Sequence, residues 1–268
     1  MSKLSELLAK RPSMKVCSYC GRSTLAYGNT YFCNFCELYN GELPVGSELS
    51  INPELLSNMQ SASQLLAQKQ FSEAEKSIDQ FASAAVNPMV LYVAAVLYRY
   101  LSDAFYFNVN YNLNGFMELN SENREKSLQL TAKSKEYFFK AIHAIDSSPE
   151  PKSDLLLFVR FMSLVKLGRL VEAKKALSDL SSKQAQLYGY ASMVYSVESN
   201  SRQALALVNK QLASGNVNAI YYLSKYLAAN GKSDEAQQVL EQAKKSGIEF
   251  YMAFPLVKQI EQSQENYR

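Results

Sequence analysis

The chain has no tryptophan and a single histidine, His143, in 268 residues, and it carries only 10 glycines and 7 prolines. So few breakers leave long uninterrupted stretches, which favours helices joined by short turns over an all-β fold. Neither sign of charge dominates: 28 Lys and Arg against 25 Asp and Glu give a net charge of +3. The strongly basic composition of a dedicated nucleic-acid domain is missing. No long hydrophobic run occurs. The longest begins at Met89 and is stopped by Arg99, well short of the roughly 20 residues that a bilayer span needs. At 47% apolar and 20% charged side chains, the chain is nevertheless too hydrophobic for disorder. Its start, Met1-Ser-Lys-Leu-Ser-Glu-Leu-Leu, lacks the apolar region and small-residue cleavage site of a secretory signal. A soluble cytoplasmic protein is expected.

Catalytic signatures are also missing. There is no Gly-x-Gly-x-x-Gly, no Gly-x-x-x-x-Gly-Lys-Ser/Thr phosphate loop and no Gly-x-Ser-x-Gly elbow. His143 lies in Lys140-Ala-Ile-His-Ala-Ile, a helical context without a serine or cysteine nucleophile motif beside it. The expectation is a non-enzyme with no small-molecule substrate.

Cysteine is present only where it has a purpose. The four cysteines form two Cys-x-x-Cys pairs, Cys17-Ser-Tyr-Cys20 and Cys33-Asn-Phe-Cys36, with twelve residues between them. A tight turn lets both sulfurs of a pair face one ion, and two pairs close a tetrahedron that suits Zn²⁺ at about 2.3 Å per bond. Disulfides would need an oxidising compartment. A redox pair would need a thioredoxin-like strand–helix junction, and a tetrathiolate cage also accepts iron. With four protein ligands no position is open to water or substrate, so the ion would be structural. Between the pairs, Thr24–Tyr27 and Thr30–Phe32 flank Gly28-Asn29, which predicts a hairpin.

Over about residues 14–40 the chain resembles a zinc ribbon, through the four cysteines and Gly21 after the first pair. The resemblance implies a structural Zn²⁺ held by Cys17, Cys20, Cys33 and Cys36. Some ribbons contact nucleic acid through basic and aromatic side chains. Lys10, Arg11, Lys15 and Arg22 surround the first pair, with Tyr19, Tyr27, Tyr31 and Phe35 interleaved. Lys15, Arg22, Tyr27 and Tyr31 are the contact residues of that alternative reading, by phosphate pairing and base stacking. Glu37 and Glu42 dilute the charge.

Beyond a Gly/Pro/Ser-containing connector, Asn52-Pro53-Glu54 marks a helix start. A short signature then recurs as Phe71-Ser-Glu-Ala74, Leu170-Val-Glu-Ala173, Ser201-Arg-Gln-Ala204 and Ser233-Asp-Glu-Ala236, the last three alanines separated by 31 and 32 residues. Each copy is expected to start a helix. Four residues after the alanine come Ile78, Leu177, Val208 and Leu240, and three further come Phe81, Leu180, Gln211 and Ala243. These positions lie along one helical face. The alanine is small because a preceding helix, across a short turn, must approach closely there. About five such helical pairs over residues 54–262 resemble tetratricopeptide repeats, with Asn87-Pro88 and Ser148-Pro149 closing two second helices. The family's tryptophan is absent and its early glycine is replaced by Ala62, Phe161 or Ser192. Residues 89–148 fit least well, with Ser134 at the small position.

The expected architecture is mostly α. An α-solenoid of tetratricopeptide-like hairpins follows a small N-terminal β zinc ribbon. Residues 1–13 form a short amphipathic segment, 14–40 the ribbon, 41–53 a linker, 54–262 the repeats and 263–268 a polar tail. An insert rich in Tyr and Asn covers about 102–130; from Asn108 to Asn114 asparagine alternates with Val109, Tyr111 and Leu113, a period that contradicts a helix. The resemblance places Phe158, Met162, Met193, Tyr221 and Lys225 on a concave surface that binds partner proteins. The expected function is a non-enzymatic adaptor. The alternative is a nucleic-acid-associated factor, related to transcription or translation, using the ribbon. A ribbon this small folds with its metal while the helices own a separate core, so the two are expected to be independent.

Overall fold

A computed structural model describes residues 2–9, 13–26, 31–33, 35–40, 51–107, 121–181, 202–213 and 215–248. The described chain is mostly helical. Helix α1 (Ser2–Ala9) precedes four short strands, β1 (Ser13–Val16), β2 (Ser23–Ala26), β3 (Tyr31–Phe32) and β4 (Tyr39–Asn40). The helices α2 (Pro53–Ala67), α3 (Phe71–Ser83), α4 (Pro88–Phe107), α5 (Ser121–Asp146), α6 (Asp154–Lys166) and α7 (Leu170–Ser178) follow. The last are α8 (Arg202–Ala213), α9 (Asn218–Ala229) and α10 (Ser233–Lys245). The chain divides into two compact units. One holds Met1–Ser18, Arg22–Val45 and Ser153–Arg268; the other holds Tyr19–Gly21 and Gly46–Lys152. Residues 13–18, 22–26 and 31–40 thus share one compact unit with α6–α10.

The recurring signature starts helices where expected, at Phe71, Leu170 and Ser233; α8 is described from Arg202, and Ser201 lies outside the described residues. Three hairpins, α2–α3, α6–α7 and α9–α10, turn in the same way. Five residues before the alanine, Lys69, Gly168 and Gly231 take left-handed backbone, with φ of 60°, 74° and 74°. The next residue's N–H then reaches back to the carbonyl five residues earlier: Gln70 to Leu65, Arg169 to Leu164 and Lys232 to Leu227, at 3.0, 2.9 and 2.9 Å. The left-handed residue donates to the carbonyl three before it, Leu66, Val165 or Ala228. This pair of bonds is a Schellman cap, which satisfies carbonyls that the ending helix would leave unpaired. The face behind the turn is buried as the spacing predicts. Ala74, Ile78 and Phe81 are buried on α3, as are Ala173 and Leu177 on α7, with Leu180 just beyond it. Ala236 and Ala243 are buried on α10. In the last hairpin the Ser224 hydroxyl donates to the Ala236 carbonyl at 2.9 Å, so the first helix touches the second's backbone at the small residue.

Within the other unit, Asn52 caps α2, its side chain accepting from Glu54 N–H at 2.9 Å. Asn87 likewise accepts from Met89 N–H at 2.9 Å. Asn87-Pro88 therefore opens α4, while α3 already ends at Ser83; the proline fits a first helical turn better than a helix end. Helices α4 and α5 pair along a polar seam. Ser102 donates to the Ser127 carbonyl at 2.8 Å and lies 3.0 Å from the Ser127 hydroxyl and 2.7 Å from that of Thr131. Ser134 donates to the Ala95 carbonyl at 2.8 Å, so it does occupy a close-approach position. Phe138 and Ala141, four and seven residues on, are buried. Residues 102–107 and 121–130 are helical, and the Asn108–Asn114 alternation lies outside the described residues.

Helix α3 is tied to this pair by charge. Asp79 accepts from Tyr98 Oη at 2.5 Å and from Lys133 Nζ at 2.7 Å, while Lys126 reaches Glu75 at 2.6 Å. Burial raises the Asp79 carboxyl, but the hydrogen bonds from Lys133 and Tyr98 and the charges of Lys133 and Lys126 outweigh it. The carboxyl is held below the usual carboxylate range. Burial, then the Asp79 hydrogen bond, pushes the Tyr98 phenol up.

In the first unit, α1 is too short to persist alone in water. It packs on α8, burying Leu4 and Leu7 in one cluster with Val208, Leu212, Ile220 and Val239. The amphipathic segment expected at 1–13 thus supplies core to the C-terminal helices.

Candidate metal centre

Both Cys-x-x-Cys turns close with the same backbone hydrogen bond. Cys17 N–H donates to the Arg22 carbonyl at 3.0 Å, and Cys33 N–H to the Leu38 carbonyl at 3.0 Å. The residue after each pair is left-handed, Gly21 at φ 67° and Glu37 at φ 57°. Each turn joins two strands: β1 pairs antiparallel with β2 across the first, and β3 with β4 across the second. This corrects the predicted hairpin. Thr24–Ala26 pair with Ser13–Lys15, not with the strand that follows, because the cysteine turn is itself the tight reversal. Tyr27–Thr30 lie outside the described residues.

The four sulfurs converge. All lie within 4.8 Å of one another, the four residues are fully buried, and Cys17 Sγ is 3.6 Å from Cys36 Sγ. None is in a disulfide. Four bonds of about 2.3 Å would set tetrahedral S···S edges near 3.8 Å, close to what the Cys17–Cys36 pair already shows. Phe35 N–H points at Cys33 Sγ from 3.4 Å, a donor suited to thiolate charge. The donor set fits a tetrahedral divalent ion such as zinc.

Helical side chains surround the second turn. Glu37 is only 4% exposed at its side chain, and its Oε2 is 2.5 Å from Lys166 Nζ at the end of α6. Asn218, fully buried at the start of α9, donates from Nδ2 to the Cys33 carbonyl at 3.4 Å. Burial and the neighbouring Lys166 hold the Lys225 ammonium below the usual lysine range, with Glu37 offsetting part of the effect. On the first turn, the Arg22 guanidinium lies 5.3 Å from the Phe35 ring centroid, a cation–π contact.

The remaining sequence-derived site residues fall in several places. Phe158 and Met162, on α6, are buried at 0% and 1% exposure. Tyr221 is half-buried beside Tyr222, with ring centroids 5.5 Å apart. Lys225 is half-buried near Lys166 and Glu37. Met193 and Tyr27 lie outside the described residues, as does the side chain of Tyr31. Lys15 is half-buried on β1. Sequence reasoning missed Glu37, Lys166 and Asn218. Glu37 could have been found from its equivalence to Gly21 in the other turn; nothing local marks Lys166 or Asn218.

Among the described residues no helix is long and apolar enough to cross a membrane. Comparison with protein-family models, curated proteins and solved structures finds no match to this chain.

Proposed function

We propose that the chain is a non-enzymatic adaptor. Tetratricopeptide-like hairpins present a helical surface to partner proteins, and a zinc ribbon braced by a structural Zn²⁺ at Cys17, Cys20, Cys33 and Cys36 adds a second contact surface. One observation carries the reading: three hairpins repeat the same cap, the same left-handed position and the same buried alanine face, beside a closed four-sulfur site. Stacked hairpins of this kind expose long surfaces suited to polypeptide ligands. A site closed by four thiolates leaves no coordination position for chemistry.

The test has two arms. Metal analysis of the reduced protein should return one zinc per chain, and iron or no metal would refute the metal assignment. Quantitative affinity capture should recover a stoichiometric protein partner that is lost when surface residues of α9, including Tyr221, are substituted. Capture of no protein, together with salt-dependent binding of mixed oligonucleotides, would transfer the function to the nucleic-acid reading.

A further inference from the structure

The two cysteine turns close with the same hydrogen bond and a left-handed residue, and they differ in what that residue is. The first has Gly21, which takes left-handed φ without steric cost. The second has Glu37 at φ 57°, a conformation that disfavours side chains. Such an outlier persists only where its surroundings over-determine it. Here the surroundings are helical: the Glu37 carboxylate is buried against Lys166 of α6 at 2.5 Å, and four residues earlier the Cys33 carbonyl accepts from Asn218 of α9. Both ligands of the second turn are thus bracketed by contacts to helices more than 120 residues away in sequence.

We propose that the Glu37–Lys166 ion pair is a positioning device that couples metal occupancy to α6 and α9. Binding the metal then sets the helical surface around Tyr221 and Lys225. The inference rests on the zinc assignment above. Glu37 holds the second turn in the conformation that aims Cys33 and Cys36 at the ion. The bound ion in turn holds the carboxylate where Lys166 meets it. When zinc leaves, the turn loses two of its anchors, and the ends of α6 and α9 lose contacts to it.

The test uses the full chain and zinc alone. Hydrogen exchange is followed with zinc bound and after chelation. Exchange should rise on chelation in peptides covering residues 33–38, and also in those covering 163–170 and 216–225. Zinc transfer to a competing chelator should quicken by about tenfold or more in Glu37→Gln and Lys166→Met, the scale on which partners of metal ligands tune affinity. Lys166→Arg should restore slow release. Glu37→Gly separates strain from charge: it relieves the left-handed backbone but removes the carboxylate, and it should release zinc as fast as Glu37→Gln. If Glu37→Gly releases zinc as slowly as the wild type, or if chelation changes exchange only within residues 13–40, the coupling is wrong while the metal site stands. If the wild type binds no zinc, the metal assignment itself fails.

Discussion

The α9–α10 hairpin and the α4–α5 pair bring two helices together by different means. In α9–α10 a three-residue turn with left-handed Gly231 fixes the geometry, and the contact is made by Ala236 with one hydroxyl, Ser224, laid on its carbonyl. In α4–α5 the connecting residues, 108–120, lie outside the described ones, and the register is read from the interface. A seam of hydroxyls, Ser102 with Ser127 and Thr131 and Ser134 with the Ala95 carbonyl, fixes it. The difference teaches where specificity sits. Short turns place helices by local backbone chemistry, so the interface needs only small and apolar residues. Helices without such a turn need directional bonds, because apolar packing alone tolerates sliding by a helical turn.

The comparison can be broken most forcefully by enlarging the small residue in each pair. Ala236→Leu and Ser134→Leu should each cost about 1–3 kcal/mol through overpacking, read as a lowered denaturation midpoint at unchanged slope. An unchanged midpoint in either would show that the helices do not meet at that residue.

Removing hydroxyls should sharpen the contrast. Ser102→Ala strips the common partner from Ser127 and Thr131 and should cost about 1–3 kcal/mol, whereas Ser224→Ala loses one bond and should cost about 0.5–1.5 kcal/mol. The same chemical unfolding series reads both, and a reversed order would refute the seam as the α4–α5 register device.

The turns themselves predict opposite signs at one structural position. A Cβ added at Gly168 meets nothing within 4 Å, so Gly168→Ala isolates the backbone term and should destabilise by about 1 kcal/mol. Lys69→Gly at the equivalent position should be neutral or stabilising by under about 1 kcal/mol, the relieved strain being partly offset by the freer unfolded chain. Thermal melting of the pair decides whether the three turns are equivalent.

The smallest effect concerns acid. Because the native Asp79 carboxyl is held below its ordinary value, its contribution is present above the ordinary carboxylate pKa of about 3.9 and is lost as pH falls through the native one. Asp79 is about half exposed, so screening keeps the effect small. Asp79→Asn should lower the melting temperature at neutral pH and shrink its fall between neutral and strongly acidic pH. An equal fall in both proteins would remove Asp79 from the account.

Much of this was written locally. Helix starts at Phe71, Leu170 and Ser233 and the buried +4 and +7 faces of α3 were legible because they rest on period and small-residue placement. The convergence of the four cysteines followed from spacing. The turn at Lys69 was hidden because a lysine stands where two sister turns have glycine. The strand pairing was misread because Gly28-Asn29 is a good turn signal, yet the cysteine turns already reverse the chain. The docking of α1 and the Glu37–Lys166 and Asn218 contacts join residues far apart in sequence; no local signal encodes such pairs.

The burial of Leu4 and Leu7 among α8–α10 has a meaning in the time order of synthesis. Chains emerge from the ribosome N-terminus first at about 5–20 residues per second. Helix α1 must therefore wait for helices that begin past residue 200 before its leucines are covered. The four cysteines, all made by residue 36, appear well before Lys166 and Asn218. The α2–α5 unit, contiguous from Gly46 to Lys152 apart from Tyr19–Gly21, can close while its neighbour is still unfinished. The segment that holds Leu4 and Leu7 is made long before the helices that cover it, and a nascent chain halted before α8 would carry two exposed leucines there.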